Sequence, residues 1–520
     1  MKKTCVRLSD SSSKFKLSSV KIGLANYCHL SKEVIGFISC LLLAAVFLLF
    51  PETAVTFAAS ISDHAIKEFG LGFIVFPSLL VILSLVIACT PFGKVRLGGK
   101  DAKPEFGFFS WTAMLFAAGM GSGLIFWGVA EPIVHFSHPP AFVTGTSLVS
   151  NVENAKDTAL ALTYFHWGVH AWAVYAISGL VMAWFAFNRS RSMTISASFT
   201  DKAKGGRFQV FDFLAVIAVI FGVAGTLANT IALVQTGLQH LVPWDIAGLI
   251  FRLGLLLAIA LAFTVSSTLG LEKGIKQMSI FNLLFVIAML VVVISMVDPF
   301  ELVSTVITST ASYVSLLPSL SFSIDPESRS WSEGWSIIYF VWWIAWAPFV
   351  GPFIARISKG RSVRQYLLCT IFIPTITTIV WFSAFGGSVF EMNILDDVIA
   401  ATNKDVTYGL FTFFEHLPYG NILALCAILL LVTFVITSAD SAIFVSGMLT
   451  GSSKLRSKLM WSLTLVAITT ALILKNDINL NKQIAILGAV PFTLILLAQT
   501  CILIKEVITH KGTTESGIKD

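Results

Sequence analysis

Residues 119–136 read GMGSGLIFWGVAEPIVHF, with three glycines among the first five positions. They lie in an apolar stretch, 107–136, longer than the ~20 residues a bilayer-crossing helix needs. Glycine in a helix interior costs about 0.5–1 kcal/mol relative to alanine. The segment reads as a membrane helix weakened at its middle.

The 520-residue chain is 56% hydrophobic and 12% charged, with a mean hydropathy of +0.84. A soluble domain carries about 25% charged residues, so the composition is that of an all-α, multi-pass membrane protein. The net charge of +6 sits in short loops between apolar stretches and implies no nucleic-acid partner. The seven cysteines (Cys5, Cys28, Cys40, Cys89, Cys369, Cys426 and Cys501) are scattered, without metal-ligand or disulfide spacing. No His, Asp and Glu grouping has the spacing of a nucleophile–base pair or a metal cluster, so the chain does not read as an enzyme. A channel would need a continuous polar pore or charged rings, which the spans do not supply.

Twelve spans are predicted, near 34–52, 71–91, 107–136, 157–187, 208–239, 244–266, 277–297, 331–356, 364–386, 417–449, 459–475 and 482–505. The first follows a basic N-terminus but no small-residue cleavage site, so it reads as a retained helix. Basic residues fall before the first span and after the second, fourth, sixth, eighth and tenth, as in Lys94–Lys103, Arg189–Arg207 and Arg356–Arg364. The loops at 53–70, 137–156 and 388–416 are nearly free of them. Positive residues stay inside, so both termini are expected in the cytoplasm. The basic N-terminus is also suited to contact anionic lipid.

The eighth span holds a second break signal, with Pro348, Gly351 and Pro352 within five residues. It lies five spans after the first, as two five-helix repeats beginning at spans three and eight would place it. Broken helices in matching positions of two halves point to a transporter's binding site. Aromatic residues accompany both regions. At 100° per residue, Trp167, Trp172 and Tyr175 share one broad face of the fourth span, and Trp342, Trp343 and Trp346 fall within about 100° on the eighth. Trp343 lies 12 residues beyond Trp331, roughly 18 Å along a helix, too deep for an interfacial belt. Several buried indoles suit a quaternary ammonium, which has no N–H to donate but is drawn to aromatic faces. The acidic residues inside the spans, Glu131, Asp212 and Asp440, do not accompany the tryptophans in sequence.

GMGSGLIFWGVAEP (119–132), HWGVHAWAVY (166–175), WWIAWAPFVGPFIARISKGR (342–361) and TSADS (437–441) together resemble the betaine/choline/carnitine transporter (BCCT) family. The resemblance implies a LeuT-like fold, with spans 3–7 and 8–12 as inverted repeats, two extra N-terminal helices and a homotrimer in a bacterial cytoplasmic (inner) membrane. The division expected is a basic segment at 1–33, two peripheral helices at 34–106, repeats at 107–297 and 331–505 joined by an extracytoplasmic connector at 298–330, and a short tail at 506–520. By resemblance, Trp167, Trp172, Tyr175 and Trp343 box a trimethylammonium group. Trp342 and Trp346 line the same pathway, and the unwound Gly119, Met120, Gly121, Ser122 and Gly123 receive the rest of the ligand. A sodium site maps onto Ala117, Met120, Phe434, Thr437 and Ser438; no other cofactor is implied.

The implied activity is sodium-coupled uptake of a compatible solute, glycine betaine foremost. The alternatives are proton-coupled or sodium-independent choline or carnitine transport or exchange. Proton-coupled members resemble one another in an Asp at the end of the glycine motif, where this chain has Gly123. Sodium-independent exchangers use an arginine from the fifth span, and 208–239 contains neither Lys nor Arg. A second sodium site in the family uses two threonines of the fifth span. Val219 and Val223 stand there, which argues for a single sodium ion.

Overall fold

The computed structural model describes residues 32–144, 152–200, 206–475 and 478–516. The basic segment 1–31 and part of the loop at 137–156 lie outside the described residues. Among the described residues, eleven helices are long and apolar enough to cross a membrane, and twelve if the bent pair Phe108–Met120 and Gly123–Ser137 is one span. The helices beyond the first are the second span (Pro51–Cys89), the fourth (Val152–Trp167 and Val169–Ala183), the fifth (Gln209–Leu241), the sixth (Leu249–Lys273) and the seventh (Ile275–Ile294). The eighth (Ser336–Ile357), ninth (Val363–Phe382), tenth (Gly420–Thr450), eleventh (Leu455–Lys475) and twelfth (Ile478–Ser516) follow.

Two expectations are corrected, and the connector gains an element. Residues 53–70 are not a loop: Pro51 opens a 39-residue helix that runs on to Cys89. The connector at 298–330 contains a 24-residue helix, Pro299–Phe322, capped by Asp298, which accepts from the amides of Phe300 and Glu301. This helix counts among the eleven, whereas the first span, Lys32–Leu49, has only a shorter apolar stretch. The eighth span is not broken at its prolines. It is one helix through Pro348, Gly351 and Pro352, and the irregular residue is Trp335, just before its start.

The packing carries its own internal repeat. Spans three, four, eight and nine pack together, and spans five, six, ten and eleven form a second group. Each group maps onto itself when spans 3–7 are exchanged with spans 8–12, each for the one five places away. The same shift takes the contact of span seven with span three into that of span twelve with span eight. It also takes the contact of seven with ten into that of twelve with five. With Pro299–Phe322 taken as part of the connector and not as a crossing, the shift is five crossings, an odd number that reverses direction, so the two five-span halves are inverted relative to each other.

The basic loops converge at one end of the bundle. Arg356 grips Glu105 through both guanidinium nitrogens, at 2.7 and 2.9 Å. The hydrogen bond and charge of Arg356 hold the Glu105 carboxyl below its usual range, against the raising effect of partial burial. Arg96 donates to the Gly360 carbonyl at 2.8 Å, Arg361 to the Phe106 carbonyl at 2.7 Å and Lys458 to the Ser267 carbonyl at 2.6 Å. Basic residues here complete the carbonyls of helix ends and loops.

Gly351 serves packing rather than breakage. It crosses Gly179 of the fourth span, where a Cβ on Gly179 would lie 2.8 Å from the Gly351 carbonyl oxygen and 2.3 Å from the Tyr366 hydroxyl. Small residues let membrane helices approach closely. Gly179→Leu is therefore expected to force the two spans apart and destabilise the protein by about 1–3 kcal/mol or more. Thermal unfolding of the purified variant checks this; an unchanged midpoint would contradict the crossing.

Candidate functional site

The first half-helix of the third span ends at Met120. Gly121 then takes φ +52° and ψ −156°, a conformation L side chains rarely adopt, and makes no capping hydrogen bond back into the helix. The second half-helix starts at Gly123, bent 57° from the first, and its N-cap Ser122 makes no side-chain cap. The Ser122 hydroxyl pairs instead with that of Thr230 at 2.7 Å. The other two glycines make room for indoles. A Cβ on Gly119 would sit 2.4 Å from Trp172 Cη2, and one on Gly123 2.7 Å from Trp167 Cη2. The motif thus combines one turn with two flat seats for tryptophan.

These residues form one wall of a cavity of about 200 Å³. Gly119, Met120, Gly121, Ser122 and Gly123 line it together with Trp167, Trp342, Trp343 and Trp346. Phe126, Trp127, Tyr339, Thr226, Asn229, Thr230 and Thr407 also line it, beside the aliphatic Ala232, Leu233 and Val406, and sequence reasoning did not single these out as lining. Trp172 and Tyr175 do not line the cavity; they extend its aromatic row inward. Ring centroids run from Trp167 to Trp343 at 5.1 Å, from Trp343 to Tyr175 at 6.2 Å and from Tyr175 to Trp172 at 5.7 Å. The Tyr175 hydroxyl is buried without a hydrogen-bond partner.

Behind the row sits Glu131, fully buried. Its Oε1 lies 2.7 Å from His166 Nδ1, and its Oε2 accepts from Trp167 Nε1 at 2.7 Å and from the Tyr339 hydroxyl at 2.5 Å. His166 Nε2 meets the Ser336 hydroxyl at 2.9 Å, and its carbonyl accepts from Trp343 Nε1 at 2.8 Å. One carboxylate therefore ties spans three, four and eight together and fixes two rings of the cavity. Glu131, which does not accompany the tryptophan clusters in sequence, joins them in space. The only local signal is the i, i+4 pair Glu131 and His135; His166 is 35 residues away in sequence. The other two acids are remote in role: Asp440 accepts from Ser266, and Asp212 accepts from the amide and hydroxyl of Ser196.

The residues singled out for sodium meet at the turn. Ala117 and Met120 belong to the last turn of the first half-helix, and Phe434 packs against Phe116 with ring centroids 6.4 Å apart. Thr437 donates to the Thr433 carbonyl at 2.8 Å and accepts from Asn282 at 3.1 Å. The Ser438 hydroxyl is buried with no partner, and a Cβ on Gly121 would be 3.7 Å from it. A buried hydroxyl left unpaired beside an uncapped helix end fits a hard cation that takes oxygen ligands. Val219 and Val223 are each 1% exposed, packed in the core. The nearby Thr226 hydroxyl bonds to the Gly222 carbonyl at 3.1 Å.

Residues 34–512 match the family model of the betaine/carnitine/choline transporters. The chain belongs to this family. It is 34% identical to glycine betaine transporter 1 of Vibrio parahaemolyticus over 92% of both chains. It is 36% identical to the glycine betaine transporter OpuD of Bacillus subtilis, over 86% of this chain and 88% of that one. It is also 36% identical to an ectoine/hydroxyectoine transporter of Virgibacillus pantothenticus, over 83% of this chain and 87% of that one. The protein is thus a multi-pass membrane transporter and not an enzyme.

In this transporter Trp167 cannot easily yield to a larger residue at position 123, because Glu131 holds its indole nitrogen. Gly123→Ala is expected to press the new methyl into the ring and destabilise the fold by about 1–3 kcal/mol, with a lower transport rate. The thermal unfolding midpoint reads the first effect, and an unshifted midpoint would show that the ring moves freely.

Proposed function

We propose that this transporter carries a trimethylammonium compatible solute, glycine betaine foremost, into the cell together with one sodium ion. The observation that carries the reading is the cavity itself, with indole and phenol rings on one side and an uncapped, unwound helix on the other. The ring faces suit a cation with no N–H, at about 0.5–2 kcal/mol per desolvated contact. The bare N-terminus of the half-helix Gly123–Ser137 suits the carboxylate of a betaine. Two of the relatives above are glycine betaine transporters, which supports the same solute.

The unpaired Ser438 hydroxyl beside the turn supports sodium as the driving ion. The buried valines support a single sodium, since a cation in a hydrocarbon-lined site costs several kcal/mol unless oxygens replace the missing ones. In this reading the chain sits in a bacterial cytoplasmic membrane with the basic loops and both termini inside, as a homotrimer. Binding of solute and sodium at the joint between the two halves then favours the rocking motion that exposes the cavity alternately to each side.

Trp343→Leu tests the aromatic wall. It is expected to raise the betaine dissociation constant about tenfold, about 1.4 kcal/mol, in a correctly inserted variant. Unchanged affinity would remove Trp343 from the site.

The coupling ion has a separate test. Alanine at both Thr437 and Ser438 is expected to abolish sodium stimulation of uptake in proteoliposomes while betaine binding persists. Current measured with isotope flux should give one net charge per betaine in the wild type. Two charges would mean that Thr226 or backbone carbonyls form a second site, and uptake driven by a proton gradient alone would overturn sodium coupling.

A further inference from the structure

We propose that Glu131 is the concealed counter-charge of the cavity, a positioning residue that acts on the bound ammonium through Trp167 and Tyr339. The proposal rests on the trimethylammonium reading above. Glu131 is fully buried and does not line the cavity, whereas Trp167 and Tyr339 both do. Both donate to the same carboxylate oxygen. An indole N–H can only donate, and the other oxygen faces His166 Nδ1. With Trp167 and Tyr339 both donating to one oxygen, that oxygen is held as an acceptor, which favours the ionised carboxylate. Among the described residues the basic side chains within 4 Å of it are the imidazoles of His135 at 3.4 Å and His166 at 2.7 Å, which carry charge only when protonated, with neither Lys nor Arg.

Such a charge is felt across the rings that cover it, because the surroundings are dry and of low dielectric. Donating the N–H and O–H to a carboxylate also leaves the ring faces richer in electrons, and those faces attract a cation. A carboxylate open to the cavity would accept N–H bonds and so favour a primary amine. One sealed behind aromatic rings supplies charge without an acceptor and favours an ammonium that has no N–H. Placing Glu131 here makes it a determinant of the choice of headgroup.

The same cluster does not fit a metal centre. Glu131, His135 and His166 bring ligand atoms within 4.8 Å of one another. The 2.7 Å between Glu131 and His166 is a hydrogen-bond length. Two ligands each about 2.0–2.1 Å from a tetrahedral zinc lie about 3.3 Å apart.

The test compares two competitors of radiolabelled betaine uptake in proteoliposomes: glycine betaine and 3,3-dimethylbutanoate, its carbon isostere of the same shape without the ammonium charge. Wild type is expected to prefer betaine strongly. Glu131→Gln is expected to cut that preference about tenfold, and Tyr339→Phe, which keeps the ring but breaks its bond to Glu131, about threefold. A merely structural role would weaken both competitors alike and leave the ratio unchanged. An unchanged ratio in Glu131→Gln overturns the proposal; if that variant does not insert, an unchanged ratio in Tyr339→Phe does so. Wild type with no preference for betaine would instead overturn the trimethylammonium reading on which the proposal stands.

Discussion

Inside a bilayer, every backbone N–H and C=O must find a partner, and irregular backbone survives only where protein buries it or it lines a cavity. Gly121 breaks a helix inside a membrane span and leaves its neighbours' polar groups free. The rest of the site can be understood as what makes this break tolerable. Spans four, eight and ten pack against the broken helix, span five reaches the turn through Thr230, and the turn residues are buried. The Ser438 hydroxyl and the uncapped half-helix then stand ready for ligands that replace the missing hydrogen bonds. The groups left unsatisfied by the break are therefore the ones that can take part in binding.

Close packing of glycine against tryptophan is the second device. A large ring needs a flat, shallow surface, and a helix offers one only where it lacks a Cβ. Trp172 on Gly119 and Trp167 on Gly123 place two indoles against the broken helix itself. Glu131 then holds Trp167 from behind, so the ring has a seat on one side and a hydrogen bond on the other. Motion of the third span would carry both contacts with it, which gives the cavity and the helix break a direct mechanical link.

The two halves use their breakers differently. The first is kinked by glycine, whereas the second keeps Pro348 and Pro352 inside a continuous helix. The Ser178 hydroxyl of the fourth span also reaches the Ala347 carbonyl of this helix, at 3.3 Å. Gly351 meanwhile allows the eighth span to lie against Gly179. The repeat is one of packing, and its inversion follows from the odd number of crossings. It is not a repeat of local backbone geometry.

Hydropathy alone determined that this chain crosses the membrane many times, because the cost of putting charge in hydrocarbon leaves long apolar runs. The glycine motif located the turn, since few residues other than glycine adopt the backbone of Gly121. The depth and spacing of Trp167, Trp343 and Trp346 marked the cavity wall, because helical geometry projects them from known faces. Helix 299–322 and the extension of the second span over 53–70 stayed hidden, as their mixed composition serves a connector and a helix equally well. The withdrawal of Trp172 and Tyr175 behind the cavity, the sound eighth span and the meeting of Glu131 with Trp167, His166 and Tyr339 were decided only by tertiary structure. Sequence periodicity fixes which face of one helix a side chain occupies; which other helix meets that face depends on packing among all of them.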